Sequence, residues 1–569
     1  MIHGERRDGL ELFALKRAAS TGAGSTMSFP WQDLRNLLTL LAVCGATFFA
    51  HADLFPVSRM EARNLVAARE MVQDGHWLIP TMNGSLRLAK PPLPTWLSAA
   101  AGLTVGNTGS LAALRFPSAL AATFMVFAAY GLTGTILRNR RSAFLTAAVL
   151  ATSYLTISSG RHATWDIFCH SFMLLALWAM VAGMNKTGPA LIEAVLAGVF
   201  LGLSFMSKGP VSFFAMLLPF VLSYGFTFGW RALLARRREI ALTVAALLVV
   251  ALPWPLYVFT SVSGQAASTL QGEVAAWGSR HVKSLFYYAN FPFMSGIWSL
   301  FAIAALLFPS AKQGTADPAG RKFCLIWLAA VLLLLSLTPE KKERYMLPAM
   351  VPLAMLVGGF LDGLIHEKVD QQGKTTTTLL RLHAGILALA SLTVPAVAAY
   401  LLRSNFLAIK LSLVVVTGVY AALALGFAST LASVKAKRIL ALTIVLIAAS
   451  GALLPPLASS AGLFRRTYSR LAAIRSESQV QGLELYYQGN VDERMVWHAG
   501  RHIAHWRDMR GMPTLPLAML SRVPLATQPD GFEGQAVSIR LVASYCVDEP
   551  KCANILYLSI VEKGPVLGR

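Results

Sequence analysis

Glu61, Lys90, Asp166, Lys208, His281, Arg344 and Tyr345 are the side chains here whose types can do chemistry, and each borders an apolar stretch. Carboxylates suit proton transfer, while ammonium and guanidinium groups hold phosphate. Around the first of them the spacing is helical. Wound at roughly 100° per residue, the segment from Met60 to Asp74 puts Leu65, Ala67, Ala68, Met71 and Val72 on one face, from which Glu61 and Asn64 also project. Arg63, Arg69, Glu70, Gln73 and Asp74 lie largely opposite. A carboxylate on an apolar stripe is costly unless it is paired or used. Two readings follow: a buried Glu61–Arg ion pair, or an acid–base group whose raised pKa suits proton abstraction near neutral pH.

Asn83-Gly84 predicts a tight turn, and Lys90 stands before Pro91 and Pro92, which stiffen the backbone that carries it. A point cation so placed suits a lipid phosphate, and a snorkelling lysine is the simpler alternative. Asp166 stands at the mouth of one apolar run, and Lys208-Gly-Pro closes another. His281 precedes a third, with Tyr287-Tyr288 after it, and Lys341-Lys-Glu-Arg-Tyr345 lies between two more.

Composition says which elements must hold these groups. Of 569 residues 55% are hydrophobic and 14% charged, and the mean hydropathy is +0.55, the balance of an integral membrane protein. A hydrocarbon core needs about 20 apolar residues per helix, and about thirteen such runs can be laid out. The first covers 34–52 and the next full one 113–137. The net charge of +22 sits in short loops between apolar runs, a topology signal without any nucleic-acid recognition motif. The basic residues also suit contacts to anionic membrane lipids.

Basic loops orient the chain. With the N-terminus inside, Arg138, Arg140, Arg141, Lys186, Arg236, Arg237 and Arg238 fall inside. So do Lys312 with Arg321 and Lys322, Lys368 with Lys374, and Lys435, Lys437 and Arg438. This threading requires that the short, proline-led piece at 91–105 does not cross. The chemical candidates then share the outer face. Cations kept there against the charge rule call for an anionic partner, most simply phosphate.

The chain divides into a cytoplasmic leader (1–33), a membrane domain (34–458) with a long outer loop at 53–112, and a soluble C-terminal domain (459–569). Alternation at 482–487 and 537–542, with helical stretches between, predicts a small α/β fold for that tail. The leader lacks the apolar core of a signal peptide, and Met27 offers a second start. Cys44, Cys169 and Cys324 read as small core residues, whereas Cys546 and Cys552 suit a disulfide if the tail lies outside the cytoplasm.

At these residues the chain resembles the polyprenyl-phosphate-sugar glycosyltransferases of the GT-C class, in particular bacterial 4-amino-4-deoxy-L-arabinose lipid A transferases and protein O-mannosyltransferases. The pieces that carry the likeness are Glu61-Ala-Arg63 with Arg69-Glu-Met, Gly75-His-Trp-Leu-Ile-Pro80, Asn83-Gly84, Lys90-Pro-Pro-Leu and Arg115-Phe-Pro-Ser118. Asp166, Lys208-Gly-Pro, Pro253-Trp254, His281 and Tyr345-Met-Leu-Pro348 continue the set. The resemblance implies an all-α polytopic fold of the GT-C type and an active site under the first outer loop, in the bacterial inner membrane. It also implies an undecaprenyl-phosphate sugar donor and a lipid or protein acceptor. The sugar would go to an acceptor hydroxyl or phosphate, on which Glu61, with Asp166 as second candidate, would act. Positions matching Lys90 and Tyr345 would contact the donor phosphate, and the loop with His281 would border the site. Arg63, Lys208 and Arg344 are further candidates for binding substrate. Two departures stand out. Met60 occupies the place of the family's usual Asp, and Ala89 that of a common Glu associated with metal. They lead us to expect no essential metal or other cofactor, and a donor sugar or acceptor changed from that of the lipid A enzymes.

The expected chemistry is an inverting displacement at the anomeric carbon, with cations stabilising the released phosphate and a carboxylate orienting the acceptor. A lipid or sugar transporter is a rival reading, but it calls for paired repeats and mid-membrane charges that the sequence lacks. A non-catalytic envelope-assembly protein is the other rival, favoured by Met60.

Overall fold

The computed structural model describes residues 31–308, 318–366, 374–403, 406–508, 513–525, 532, 536–549 and 551–564. The leader up to residue 30 and the inward cations Lys312 and Lys368 lie outside these residues. Helix α1 (Trp31–Cys44) runs on through a wide turn at Gly45–Phe49. The long first loop holds α2 (Arg59–Gln73), a hairpin of β1 (Thr81–Met82) and β2 (Ser85–Leu86), and α3 (Leu93–Thr104). The chain continues through α4 (Leu111–Leu137), α5 (Arg140–Ala151), α6 (Tyr154–Gly160), α7 (Trp165–Met184), α8 (Leu191–Lys208) and α9 (Leu218–Phe228). Then come α10 (Trp230–Leu234), α11 (Arg237–Ala251), α12 (Pro253–Ser261), α13 (Ser263–Trp277) and α14 (Ser299–Leu307). The last long helices are α15 (Pro318–Leu337), α16 (Leu347–His366), α17 (Lys374–Leu401), α18 (Phe406–Ala432) and α19 (Ala436–Ser460).

Among the described residues eleven stretches, from Asp33–Leu54 to Ala436–Ser460, are long and apolar enough to cross a membrane. The pair α5–α6, bent by 62°, makes a twelfth if it is one span, and Phe213–Phe228 is a shorter apolar helix. Of the about thirteen apolar runs read from the sequence, eleven or twelve are long enough to cross among the described residues, and Phe213–Phe228 is short. Helix α3 has 12 residues, so at 1.5 Å per residue it falls well short of a core of roughly 30 Å. The segment at 91–105 does not span by itself, as the threading required.

The helix ends sort the polar groups. Helix α4 starts near Arg115 and ends at Leu137, α7 starts with Asp166 two residues in, and α16 follows Tyr345 and ends at His366. Glu61 takes both Arg115 and the Ala163 N–H, and Asp166 faces Arg344, so these starts lie at one end of the bundle. At the other end Asn139 caps α5 and donates to Asp362 at 2.6 Å, beside His366 and Arg141. Gly198 and Gly202 let α8 lie against α11. A Cβ on Gly198 would stand 2.3 Å from the Thr243 carbonyl, and one on Gly202 2.5 Å from Val250. Small residues one turn apart are the usual means of bringing membrane helices this close.

The tail is α/β, as its alternation predicts. A five-stranded sheet has the order β5 (Ala504–His505), β4 (Leu485–Tyr487), β6 (Leu517–Ser521), β9 (Ile555–Lys563), β7 (Val537–Cys546). Its parallel half is β5–β4–β6 and its antiparallel half β6–β9–β7. A two-stranded ribbon, β3 (Arg466–Thr467) with β8 (Asp548–Glu549), and helix α20 (Glu493–Ala499) complete it. Cys546 and Cys552 are joined in a disulfide with their Cα atoms 5.1 Å apart, while Cys44, Cys169 and Cys324 are buried and free.

This tail does not pack on its own. Val57, Ala62, Leu65, Ala68 and Met71 of the first loop form one core with Leu471, Ile474, Leu485, Met495, Trp497 and Ile503 of the tail. The polar face of α2 is covered too. Arg69 donates to the carbonyls of Val496 (3.1 Å) and Trp497 (3.2 Å), and Glu70 accepts from Thr81 (2.7 Å) and Asn83 N–H (2.7 Å). Arg69 and Glu70, on the face opposite the apolar stripe, are both buried, because the tail and the first-loop hairpin supply the partners that water would otherwise supply.

Candidate active site

Ser58 caps α2 by accepting from the Glu61 N–H at 3.2 Å. Ser58-x-x-Glu61 is the pattern of a capping box, in which the glutamate turns back to the cap. Here it does not. Glu61 takes Arg115 Nε and Nη2, both at 2.7 Å, and the Ala163 N–H at 2.8 Å, and neither side chain of the pair has any exposed surface. Arg115 also donates to the carbonyls of Phe55 (2.9 Å) and Ala52. Burial by itself raises a carboxyl pKa. The Arg115 charge and hydrogen bonds outweigh it and hold Glu61 below the usual carboxylate value. The raised pKa expected of a Glu61 base is therefore absent, and the ion-pair reading is the one the geometry takes.

Asp166 is arranged differently. Its Oδ1 accepts from Lys208 Nζ at 2.5 Å, and its Oδ2 faces Arg344 Nε at 3.3 Å. The positive φ of Gly209 (68°) ends α8 directly after Lys208 and so places that ammonium at the helix terminus. Lys208 lies over the Tyr345 ring at 4.8 Å, with Arg344 at 5.5 Å and Lys342 at 5.6 Å from the same ring. The Tyr345 hydroxyl donates to Glu340 at 3.3 Å, and Lys342 pairs with the same carboxylate. Tyr288 Oη meets the Lys342 backbone at 3.3 Å.

Two loops complete the ring of cations. Asn83 (φ 55°) and Gly84 (φ 74°) form the tight turn their dipeptide predicts, and the chain emerging from the hairpin carries Arg87 and Lys90. Arg87 stacks over Trp165, the neighbour of Asp166, at 4.6 Å. Lys90 pairs with Glu273 at 3.3 Å, and Arg280 reaches the same carboxylate at 3.2 Å. Burial pulls the Lys90 pKa down, Glu273 opposes this, and the charges of Lys208 and Arg87 reinforce it. The loop at 281–283 pairs with 339–341 through Lys341 N–H to His281 C=O (3.2 Å) and Lys283 N–H to Pro339 C=O (3.4 Å).

Of the residues picked from the sequence, Asp166, Lys208, Arg344 and Tyr345 thus come together. Lys90 lies near Lys208 but pairs with Glu273, and His281 borders the set through its backbone. Glu61 is sealed beneath the segment leading to Asp166. Arg63 is tied to the tail by Glu493 at 2.8 Å, next to Arg59 at 2.7 Å. Sequence reasoning missed Glu273, Arg280 and Glu340, which sit in ordinary polar stretches with no distinguishing pattern. Glu70, Asp74 and His502 offer the one set of potential metal ligands among the described residues, their atoms lying within 4.8 Å of one another. It is the tie between α2 and the tail, not part of the Asp166 cluster.

An apolar helical bundle that gathers ammonium and guanidinium groups around one buried aspartate, under an α/β cover, is a polytopic membrane protein with the GT-C fold. ArnT from Cupriavidus metallidurans, solved bound to undecaprenyl phosphate, superposes with a TM-score of 0.67 at 17% identity, covering 93% of this chain and 98% of that one. Its apo state gives 0.66. Residues 89–257 match the family model described as dolichyl-phosphate-mannose-protein mannosyltransferase. The undecaprenyl phosphate-alpha-4-amino-4-deoxy-L-arabinose arabinosyl transferase 2 of Proteus mirabilis is 26% identical over 56% of this chain and 59% of its own length. The corresponding transferase of Pseudomonas aeruginosa is 29% identical over 58% and 60%. The matched region thus spans less than two thirds of these relatives. In sequence and in fold the chain is similar to GT-C polyprenyl-phosphate-sugar transferases of the ArnT and protein O-mannosyltransferase type.

Proposed function

We propose that this protein is a membrane glycosyltransferase that moves a sugar from a polyprenyl phosphate, such as undecaprenyl phosphate, to an envelope acceptor: lipid A, another glycolipid or a protein. The active site would face the outer side of the bacterial inner membrane. The observation that carries the reading is the cluster of Lys208, Arg344 and Tyr345 around Asp166 at one end of the bundle, with Lys90 close enough to feel the Lys208 charge. In the proposed step the acceptor oxygen forms a bond to the anomeric carbon, and the bond from that carbon to the phosphate oxygen breaks. Polyprenyl phosphate leaves with the electron pair. Lys90, Lys208 and Arg344 meet the charge that develops on it, an effect strongest in a site partly shielded from water. Asp166, balanced by two cations, orients the acceptor by accepting its hydrogen bond, and the acceptor's proton passes to the departing phosphate. Glu61 acts as a positioning residue, holding the backbone at Ala163, three residues before Asp166. The step calls on no metal, since side chains supply the positive charge.

Sugar transfer in membranes carrying Lys90→Ala or Asp166→Asn tests this. A loss of at least about 10²-fold is expected in each, and wild-type rates in both would remove the assignment.

A further inference from the structure

Away from the Asp166 cluster a cavity of about 1060 Å³ opens between the first loop and the tail. Ligand sites commonly occupy about 300–1,000 Å³, so it has room for a disaccharide headgroup. Phe55 to Ser58 and His162 wall one side, and strands and loops of the tail wall the other. Three guanidinium groups line it, those of Arg465, Arg494 and Arg522, against the single carboxylate of Asp548. Asp548 is already shared by Arg465 (3.4 Å) and the Thr467 hydroxyl (3.0 Å). Arg494 is held flat by both oxygens of Asp492 at 2.9 Å, and it lies 5.5 Å from the Tyr468 ring. Arg522 donates Nε to the Tyr487 hydroxyl at 3.2 Å, and no carboxylate of the described residues is paired with it.

We propose that this cavity binds the phosphorylated sugar headgroup of the acceptor, the arginines holding phosphate and the tyrosines facing the sugar. This rests on the transferase reading given above. Guanidinium groups recognise phosphate through paired N–H donors, and tyrosine offers an apolar ring face with a polar tip. Position points to the acceptor. His162 stands four residues before Asp166, and Ser58 caps the helix whose Glu61 holds the backbone at Ala163, so a headgroup seated here rests on the segment that leads into the proposed site.

The test uses the purified full chain and two probes: a glucosamine disaccharide bearing phosphates, and its dephosphorylated form. Arg465→Gln with Arg522→Gln removes two exposed guanidiniums, the second with its bond to the Tyr487 hydroxyl, and Arg540→Gln on β7 is the charge control. The wild type should bind the phosphorylated probe tighter by about tenfold or more. The double variant should lose that preference and raise the acceptor KM while the donor KM stays put. No preference for phosphate, an unchanged double variant, or a rise in donor KM would overturn the proposal. Arginine-dependent binding in a chain that transfers no sugar would uphold the pocket and remove the transferase reading. Transfer that proceeds at an unchanged acceptor KM in the double variant would do the reverse.

Discussion

Glu61 and Asp166 are both buried carboxylates facing cations, yet their surroundings differ in kind. Glu61 is closed on all sides: a bidentate arginine, a backbone N–H and no exposed surface. Asp166 shares an ammonium and a guanidinium that are themselves stacked around one tyrosine ring, and Arg344 keeps a quarter of its side chain exposed. A carboxylate with both oxygens engaged and a matched cation, cut off from solvent, is a structural rivet. One whose partner cations still have donors to offer can bind something else. Burial alone does not separate these two carboxylates, and the saturation of their partners does.

The comparison can be broken most forcefully at Arg115. Arg115→Leu leaves the Glu61 charge buried without its partner, which should cost about 3–5 kcal/mol. The folded yield and melting temperature measured by size-exclusion chromatography should collapse, and a variant as stable as wild type would refute the rivet. Arg344→Gln should act on the other side of the contrast. Its transfer rate should fall by about 10²-fold with a melting temperature close to wild type. A stability loss as large as that of Arg115→Leu would erase the distinction.

Smaller effects sharpen the picture. Tyr345→Phe keeps the ring under Lys208 and removes only the bond to Glu340, so transfer should fall less than about tenfold. A loss as large as that of Arg344→Gln would make the hydroxyl, not the ring, the working group. The smallest change concerns the seam between α2 and the tail. His502 reaches Glu70 and Asp74 at 3.3 and 3.4 Å, and its bond to Glu70 raises its pKa against the effect of burial. A raised folded pKa contributes stability that is fully present below the unfolded value of about 6.5. That contribution is lost as pH rises through the folded value. His502 is half exposed, so the contribution is under about 1 kcal/mol. His502→Gln should flatten the decline in melting temperature above about pH 6.5, and parallel curves for the two proteins would sink this.

Much of this architecture was legible in the sequence. The apolar runs, the Asn83-Gly84 turn, the non-crossing α3 and the strands at 485–487 and 537–546 each follow from local composition and period. The cluster was legible in part, because Lys90, Asp166, Lys208, Arg344 and Tyr345 stand at the ends of apolar runs, where a charge has a reason to be kept. Glu61 was readable as paired or reactive but not as which, since its partner lies 54 residues on in α4. The burial of Arg69 and Glu70 was not legible, because part of the cover over them comes from more than 400 residues away.

By itself the sequence determined that this chain lives in a membrane, where its helices lie, and which charged side chains sit at their ends. Hydrophobic run length and backbone preference are local quantities, so they can be read from neighbours along the chain. Only the tertiary structure decided which carboxylate is locked and which is shared, and that the first loop and the tail enclose a cationic cavity. Those outcomes depend on the partners a charge finds across hundreds of residues.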